Sequence, residues 1–317
     1  MRASTSTQAP RDRAAPSPRR RLLRLLPLVS LVSLVLLVGH GSAEAQETPR
    51  SNVKRLRYDT RIDLAVTSTG GLWLAASEIL KAQLVPAKCR WCYRAADGSD
   101  ALNPYDGYVR KTLIWQNTGA ADLSSSIIAF VLLPLAGLGT TAIAANHDDA
   151  MHGYPVDALS ILEATILAAD LNQIVKFAFA RERPFVHFLP RAPTGIRALT
   201  DSPSDDNLSF FSGHTNLAFA MATSSGTTAS LRNYRLAPMV WGVGLTAAFA
   251  VAYLRIAADK HYLSDVLTAV VVGSLVGVGV PLLFHSAKPS DAAPSGTGGP
   301  GPAPAAMQTP FGYGGAF

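Results

Sequence analysis

The sequence predicts an all-α protein, a bundle of about six helices of which several are transmembrane, with a candidate site at one end of the bundle. Of its 317 residues, 48% are hydrophobic and only 16% are charged, against about 25% charged in soluble domains. The apolar residues fall into six segments of helical length, and none shows the period-two alternation of a half-buried strand. The segments are about 62–84, 123–145, 155–179, 213–230, 236–254 and 266–284.

The six segments differ in polarity. Three of them, 123–145, 236–254 and 266–284, contain no Lys, Arg, Asp or Glu, and each is close to the roughly 20 residues that span a bilayer. The other three carry carboxylates or many hydroxyl residues, among them Asp63 and Glu163. We interpret these as partly polar helices that face the interior of the bundle.

Residues 1–45 resemble an export signal or an N-terminal anchor. Arginines at 19–21 and 24 form a positive region at the start of the apolar run Leu22–Val38, and Ala43-Glu44-Ala45 forms a cleavage site of the small-x-small type. An uncleaved anchor is the alternative, because about 17 apolar residues can just cross a bilayer. Both interpretations place Gln46 outside the cytoplasm.

The rest of the chain divides into three parts. Residues 46–122 are expected to hold one helix and a polar loop with Cys89 and Cys92, the only two cysteines. Two thiols do not complete a zinc site, and in an exported protein a local disulfide is favoured. Residues 123–285 form the helical core, and the Pro/Gly-rich residues 286–317 are expected to be disordered.

The net charge of +6 comes partly from the arginine-rich start of the chain. No basic stripe with interleaved aromatic residues occurs. The sequence therefore predicts no nucleic-acid partner.

Three short motifs bring together the groups that metal-free phosphoryl transfer needs: cations for the phosphate oxygens, a nucleophile and a proton donor. They are Lys176 with Arg183-Pro184, then Ser212-Gly213-His214, then Arg255 with His261 and Asp265. In an up-and-down bundle, the end of the third segment, the start of the fourth, the end of the fifth and the start of the sixth share one face. The helix order thus predicts that the three motifs converge.

The pattern Lys-x6-Arg-Pro, Ser-Gly-His and Arg-x5-His-x3-Asp resembles the type 2 phosphatidic-acid phosphatase and vanadium haloperoxidase superfamily, over about residues 155–285. Two positions depart from it: Phe211 stands where the family usually has Pro, and Leu254 where a Ser often precedes the Arg. Neither departure removes a charge or a proton carrier.

The motifs suggest a role for each side chain. His261 is the expected nucleophile, with Asp265 one turn later placed to hold its second ring nitrogen. The resemblance implies a phosphohistidine intermediate on His261. We expect His261 to lie at the solvent-facing start of a helix. His214 is the expected general acid, protonating the leaving alcohol and then activating water.

The phosphate oxygens are expected to bind to three cations and to a glycine turn at a helix start. The residues are Lys176, Arg183, Arg255, Ser212 and Gly213. Two further cations, Arg181 and Lys260, are interpreted as membrane-edge residues outside the site. We expect neither a metal ion nor a cofactor in the reaction.

Another group of residues resembles metal ligands by type alone. His147, Asp148, Asp149 and His152 lie between the second and third segments, on the face of the bundle opposite the motifs. A polar turn between two apolar helices explains them.

The predicted activity is that of a metal-independent phosphatase acting on a phosphate monoester or pyrophosphate, with a phosphorylated lipid favoured because apolar helices would present the site at a membrane. The alternatives are a vanadate-dependent haloperoxidase-like oxidase and a non-catalytic membrane protein that binds lipid headgroups.

The expected location is a bacterial inner membrane with a periplasm-facing site, which holds if the weak first segment lies in the interface. A soluble or peripheral periplasmic enzyme is the other possibility, and the oligomeric state is left open.

Overall fold

A computed structural model describes residues 52–86, 88–94, 99–189, 200 and 203–286, so the predicted signal and nearly all of the predicted tail lie outside the described residues. The regular elements of the described part are helices, as predicted. They are α1 (Thr60–Ile79), α2 (Lys81–Leu84), α3 (Pro104–Leu113), α4 (Thr118–Ile127), α5 (Leu133–His147), α6 (Tyr154–Phe179), α7 (Pro184–His187), α8 (Gly213–Arg232), α9 (Ala237–Ala257) and α10 (Leu263–Phe284).

Within the described part of the chain, four helical stretches are long and apolar enough to cross a membrane: Thr118–His147, Met151–Phe179, Ala237–Ala257 and Leu263–Phe284. A π-helical turn, Ile128–Leu132, joins α4 to α5 within the first of them. Large apolar side chains are exposed on this bundle, including Leu135, Leu275 and Leu283 at 66%, 67% and 76%. An apolar exterior of this kind suits lipid, and the protein is a membrane protein.

Helix α8 occupies the centre of the bundle and packs on α5, α6, α9 and α10. Most of its Ala, Ser and Thr side chains are buried. The partner helix α10 approaches it through Gly273 and Gly277, where an added Cβ would lie 2.5 Å from the carbonyl oxygen of Asn216 and 2.1 Å from Oγ1 of Thr223. Small residues on both helices therefore permit the close contact.

Helix α1 packs lengthwise against α6. Near its start, Asp63 lies beside Glu163, and near its end Glu78 accepts a 2.7 Å hydrogen bond from Nε2 of Gln173. The two ends of α1 thus lie at opposite ends of the bundle. Helix α1 is not among the four described helical stretches that are long and apolar enough to span a membrane, and the expectation that the first segment lies in the membrane interface stays a prediction.

The connection between α1 and α4 is more ordered than the predicted polar loop, because it contains α3. Asn103 caps α3 by accepting a 2.9 Å hydrogen bond from the backbone N–H of Tyr105. Cys89 and Cys92 form a disulfide, as expected. Trp91 between them stacks on Phe179 with ring centroids 6.3 Å apart, so the disulfide lies at the end of α6 that carries Lys176.

The residues His147 to His152 lie at the other end of the bundle, as predicted. His147 contacts Asp148 at 3.1 Å, and Asp148 also accepts a 2.8 Å hydrogen bond from the backbone N–H of Arg235. Within the described ranges, the group of side chains with metal-ligand geometry is a different one, Asp63, Glu163 and His285.

Candidate phosphate pocket

The three motifs meet at one end of the bundle, where α6 and α9 end and α8 and α10 begin. Lys176 and Gly213 are in direct contact: an added Cβ on Gly213 would lie 2.8 Å from Nζ of Lys176 and 2.9 Å from Oδ1 of Asn172. A larger residue at position 213 would therefore displace the ammonium group from the first turn of α8. Backbone N–H groups at the start of α8 and the Lys176 cation together favour an anion here.

His261 is buried, with 2% of its surface exposed, so the expected solvent-facing helix start is wrong. Its Nδ1 lies 2.8 Å from the carbonyl oxygen of Ser209. A carbonyl only accepts, so Nδ1 carries the proton and a neutral ring leaves the Nε2 lone pair available. Burial, followed by the charges of Arg183, Arg255 and Lys176, lowers the pKa of His261 well below its usual range. The ring is therefore neutral at pH 7, as a nucleophile requires.

Asp265 contacts His261 less directly than the spacing suggested. Its Oδ2 lies 3.7 Å from Nδ1 of His261 and accepts hydrogen bonds from Oγ of Ser209 at 2.6 Å and from the backbone N–H of Tyr262 at 2.9 Å. Asp265 thus fixes Ser209, whose carbonyl in turn holds the imidazole. The carboxylate orients His261 mainly through this intermediate residue.

His214 lies in the first turn of α8, outside the four candidate membrane spans. Its Nε2 is 3.2 Å from Oγ of Ser126, and its ring meets the edge of Phe130 with centroids 4.7 Å apart. Phe130 belongs to the π-helical turn between α4 and α5, a feature that often marks functional sites. Burial, then the charges of Arg255 and Lys176, lower the pKa of His214 well below its usual range.

Two arginines of the motifs are held by their neighbours. Nε of Arg183 donates to the carbonyl oxygen of Asp205 at 2.7 Å. Arg255 donates through Nη1 to Oδ1 of Asp122 at 2.5 Å and to Oγ of Ser125 at 3.0 Å. Nε of Arg255 is buried and has no hydrogen-bond partner among the described residues. An unsatisfied buried donor of this kind suits a phosphate oxygen.

Arg181 is not a membrane-edge cation, because only 1% of its surface is exposed. Its guanidinium binds Asp265, donates to Oγ of Ser264 at 2.8 Å and reaches Asp106 at 2.9 Å. The ring of Trp91 lies 4.3 Å from it. Arg181 therefore holds the carboxylate of Asp265 rather than substrate, and leaving it out of the phosphate ligands agrees with this geometry.

Sequence reasoning missed several residues of the pocket wall. Ser209 orients His261, while Ser126 and Asp122 reach the pocket from α4. Asn172 donates a 2.8 Å hydrogen bond to the carbonyl oxygen of Phe211, just before α8. Asn172 alone gave a signal, since it precedes Lys176 by one helical turn.

The electrostatics of His261 lead to a prediction about pH. Arg183 supplies the largest of the charges that lower the pKa of His261, so Arg183→Gln should raise that pKa towards its ordinary value. Protonated imidazole is not a nucleophile, and the acidic limb of the kcat/KM profile should therefore move to higher pH. The value of kcat/KM should also fall about 10- to 100-fold through loss of a phosphate ligand.

The control for this variant is Arg110→Gln, which removes a cation paired with Asp259 at 2.6 Å at the same end of the bundle. That variant should leave the limb in place. An unmoved limb in Arg183→Gln would show that another group controls the acidic side of the profile.

These features define a class: a membrane-embedded helical bundle with the buried His261, the partly buried His214 and a cationic anion site at one end. Residues 157–288 match the model of the PAP2 superfamily. The chain is also similar to a solved structure described as the first transmembrane PAP2 type phosphatidylglycerolphosphate phosphatase from Bacillus subtilis. That similarity has 18% identity and a TM-score of 0.36, and covers 80% of this chain and 94% of the other. None of the curated proteins matches the chain.

Proposed function

We propose that this chain is a membrane phosphatase that hydrolyses a phosphate monoester or pyrophosphate of a lipid, without a metal ion, through a phosphohistidine intermediate on His261. The observation that carries the proposal is the state of His261. A neutral imidazole, fixed through Nδ1 by the carbonyl of Ser209, presents Nε2 in a pocket lined by Lys176, Arg183 and Arg255. Binding of an anion alone requires the cations but not this oriented ring.

In the first step, Nε2 of His261 attacks phosphorus and the bond from phosphorus to the leaving oxygen breaks. His214 gives its proton to that oxygen. The negative charges of a bound phosphate counteract the cations that lower the pKa of His214, so substrate itself favours the protonated acid. Lys176, Arg183 and Arg255 stabilise the charge on the equatorial oxygens.

In the second step, water attacks the phosphohistidine and gives a proton to His214. The bond between nitrogen and phosphorus breaks, its electron pair returns to Nε2, and inorganic phosphate leaves. Both histidines then have the protonation states with which the cycle began. No step requires a metal ion.

The lipid nature of the substrate is supported by the position of the pocket at the ends of membrane-spanning helices. Lys176 lies three residues before the end of α6, and Arg255 two residues before the end of α9. A headgroup at the membrane surface would meet the pocket at this level. Water-soluble phosphates would gain nothing from the apolar exterior.

Purified protein in detergent should release phosphate from phosphorylated lipids in excess EDTA, and vanadate should inhibit it. Vanadate adopts the five-coordinate geometry of the transition state and would bind the same three cations. The measurement is phosphate release from a panel of lipid and soluble phosphates. A strict requirement for added divalent metal would contradict the mechanism, and halide oxidation by the vanadate-loaded protein with peroxide would favour the oxidase alternative.

We further propose that the pocket faces the periplasm. The support is the Cys89–Cys92 disulfide at this end, since disulfides persist in oxidising compartments. The predicted export signal argues the other way: it places Gln46 outside, and a membrane-crossing α1 would then carry the pocket to the cytoplasmic side.

Cysteine labelling in a Cys89→Ser/Cys92→Ser background tests this. Pro203→Cys, at an exposed position of the pocket end, should react with a membrane-impermeant thiol reagent in intact spheroplasts. His152→Cys, exposed at the other end, should react only after lysis. The reverse pattern would place the pocket in the cytoplasm, and labelling at both positions would favour a peripheral periplasmic enzyme.

A further inference from the structure

A second cluster of ionisable side chains lies at the end of the bundle opposite the phosphate pocket. Asp63 comes from the first turn of α1, Glu163 from α6, and His285 directly follows α10. They are 6%, 4% and 0% exposed. Each offers one ligand atom, and these three atoms all lie within 4.8 Å of one another. Neither the phosphate chemistry nor the motifs account for this cluster.

The imidazole of His285 is held as metal-binding histidines are. Its Nδ1 lies 3.2 Å from the carbonyl oxygen of Arg57, so Nδ1 is the donor and Nε2 faces the carboxylates. Nε2 lies 3.1 Å from Oε2 of Glu163. Two ligands of one tetrahedral zinc ion, with bonds of about 2.0–2.1 Å, lie roughly 3.3 Å apart. The observed separation therefore fits two ligands of a single ion.

With both carboxylates ionised, the cluster does not balance its own charge. Two carboxylates and one histidine leave a negative charge even when the imidazole is protonated, and burial makes such a charge costly. A divalent cation bound to the neutral imidazole and both carboxylates would bring the net charge of the cluster to zero.

Two buried hydroxyl groups beside the cluster also lack partners. Oγ1 of Thr67 and Oγ of Ser160 have no hydrogen-bond partner among the described residues, and their side chains are 1% and 0% exposed. Thr67 follows Asp63 by one turn on the buried face of α1, and Ser160 precedes Glu163 by almost one turn of α6. Buried hydroxyl groups about one helical turn from the candidate ligands could bind a water molecule held by the ion.

We propose that Asp63, Glu163 and His285 bind one divalent transition-metal ion of the zinc type. One imidazole nitrogen and two carboxylate oxygens suit Zn²⁺, whereas Ca²⁺ and Mg²⁺ are bound by oxygen ligands alone. The ion would join three elements far apart in sequence: the start of α1, the middle of α6 and the end of α10. Its role is to hold α1 on the bundle, and it takes no part in phosphoryl transfer.

The test uses full-length protein without a polyhistidine tag, purified in detergent, treated with EDTA and then freed of chelator. Zn²⁺ is added in competition with a chromophoric chelator, and its stoichiometry and effect on the thermal unfolding midpoint are measured. We expect one Zn²⁺ per chain and an increase in the midpoint. Glu163→Gln and His285→Asn should each weaken binding by more than about 100-fold, since loss of an outer-shell partner alone costs about 10- to 100-fold.

The matched control is the double variant His147→Ala/His152→Ala, which removes the two exposed histidines at the same end. It should retain the bound Zn²⁺ and the thermal shift. Absence of Zn²⁺ binding by the wild-type protein, or loss of Zn²⁺ binding in the control alone, would overturn the proposal. The wild-type measurement tests the proposal even if a ligand variant fails to fold. Phosphate release plays no part in this readout, so the metal site and the proposed phosphatase activity succeed or fail separately.

Discussion

Replacing His261 with asparagine should abolish turnover, reducing kcat by at least about 10⁴-fold, the scale on which enzymes lose activity with their nucleophile. Asparagine can place an N–H near the position of Nδ1 and keep the hydrogen bond to Ser209. The variant should therefore fold, although His261 is buried. What it lacks is the lone pair that attacks phosphorus.

Two measurements check this expectation. Phosphate release from the substrate found for the wild-type protein gives kcat. Mass spectrometry after rapid quenching should detect an acid-labile phosphate on the peptide that contains residue 261 in the wild-type protein, and none in His261→Asn. The control is His187→Asn, since His187 is also buried at this end but contacts Glu182 at 3.4 Å instead of the pocket cations. Turnover by His261→Asn near the wild-type rate would show that another group attacks phosphorus.

The sequence predicted the bundle because its long helices are recognisable by their length and apolar composition. The fifth segment, expected at 236–254, is helix Ala237–Ala257, and the sixth, expected at 266–284, is Leu263–Phe284. Convergence of the motifs followed from helix alternation alone. Helix α3 was missed because its apolar face is short and interrupted by charged residues, and its stability comes from the Asn103 cap and from tertiary contacts.

The pocket was predicted less completely than the fold. Motif spacing identifies side chains that are near in sequence, such as His261, two residues before α10, and Asp265 in its first turn, but a backbone carbonyl leaves no trace in a sequence. The hydrogen bond from His261 to Ser209 was therefore unpredictable. Asp122 and Ser126 were missed for another reason: they lie on a helix without a motif, and only packing brings them to Arg255 and His214.

Burial was the main error at the level of single residues. Arg181 was interpreted as a cation at the membrane edge because an arginine at the end of an apolar helix usually extends to the interface. In the structure, aromatic rings cover it, including Trp91 and Tyr262 at 4.3 Å and 4.5 Å from its guanidinium carbon. The aromatic residues lie in connections whose path the sequence does not reveal.

Because Arg181 is buried against Asp265, we expect Arg181→Lys to reduce kcat about 100-fold with little change in KM. A lysine keeps the positive charge but lacks the planar fork that binds Asp265 and Asp106 together. Asp265 would then hold Ser209 less firmly, and the imidazole of His261, which is held by the Ser209 carbonyl, would be displaced as a result. A displacement of about 1 Å at the reacting group costs roughly 100-fold in rate, whereas the phosphate ligands that determine KM remain in place.

The matched control is Arg232→Lys at the far end of the bundle. Arg232 is also buried, at 5% exposure, and binds Asp157 at 2.5 Å, so its replacement should destabilise the fold similarly without touching the pocket. Steady-state kinetics well below the unfolding midpoint separate the two effects: kcat should fall in Arg181→Lys and remain near the wild-type value in Arg232→Lys. Equal losses of kcat in both variants would mean that Arg181 only stabilises the fold. A rise in KM at constant kcat in Arg181→Lys would mean that Arg181 binds substrate.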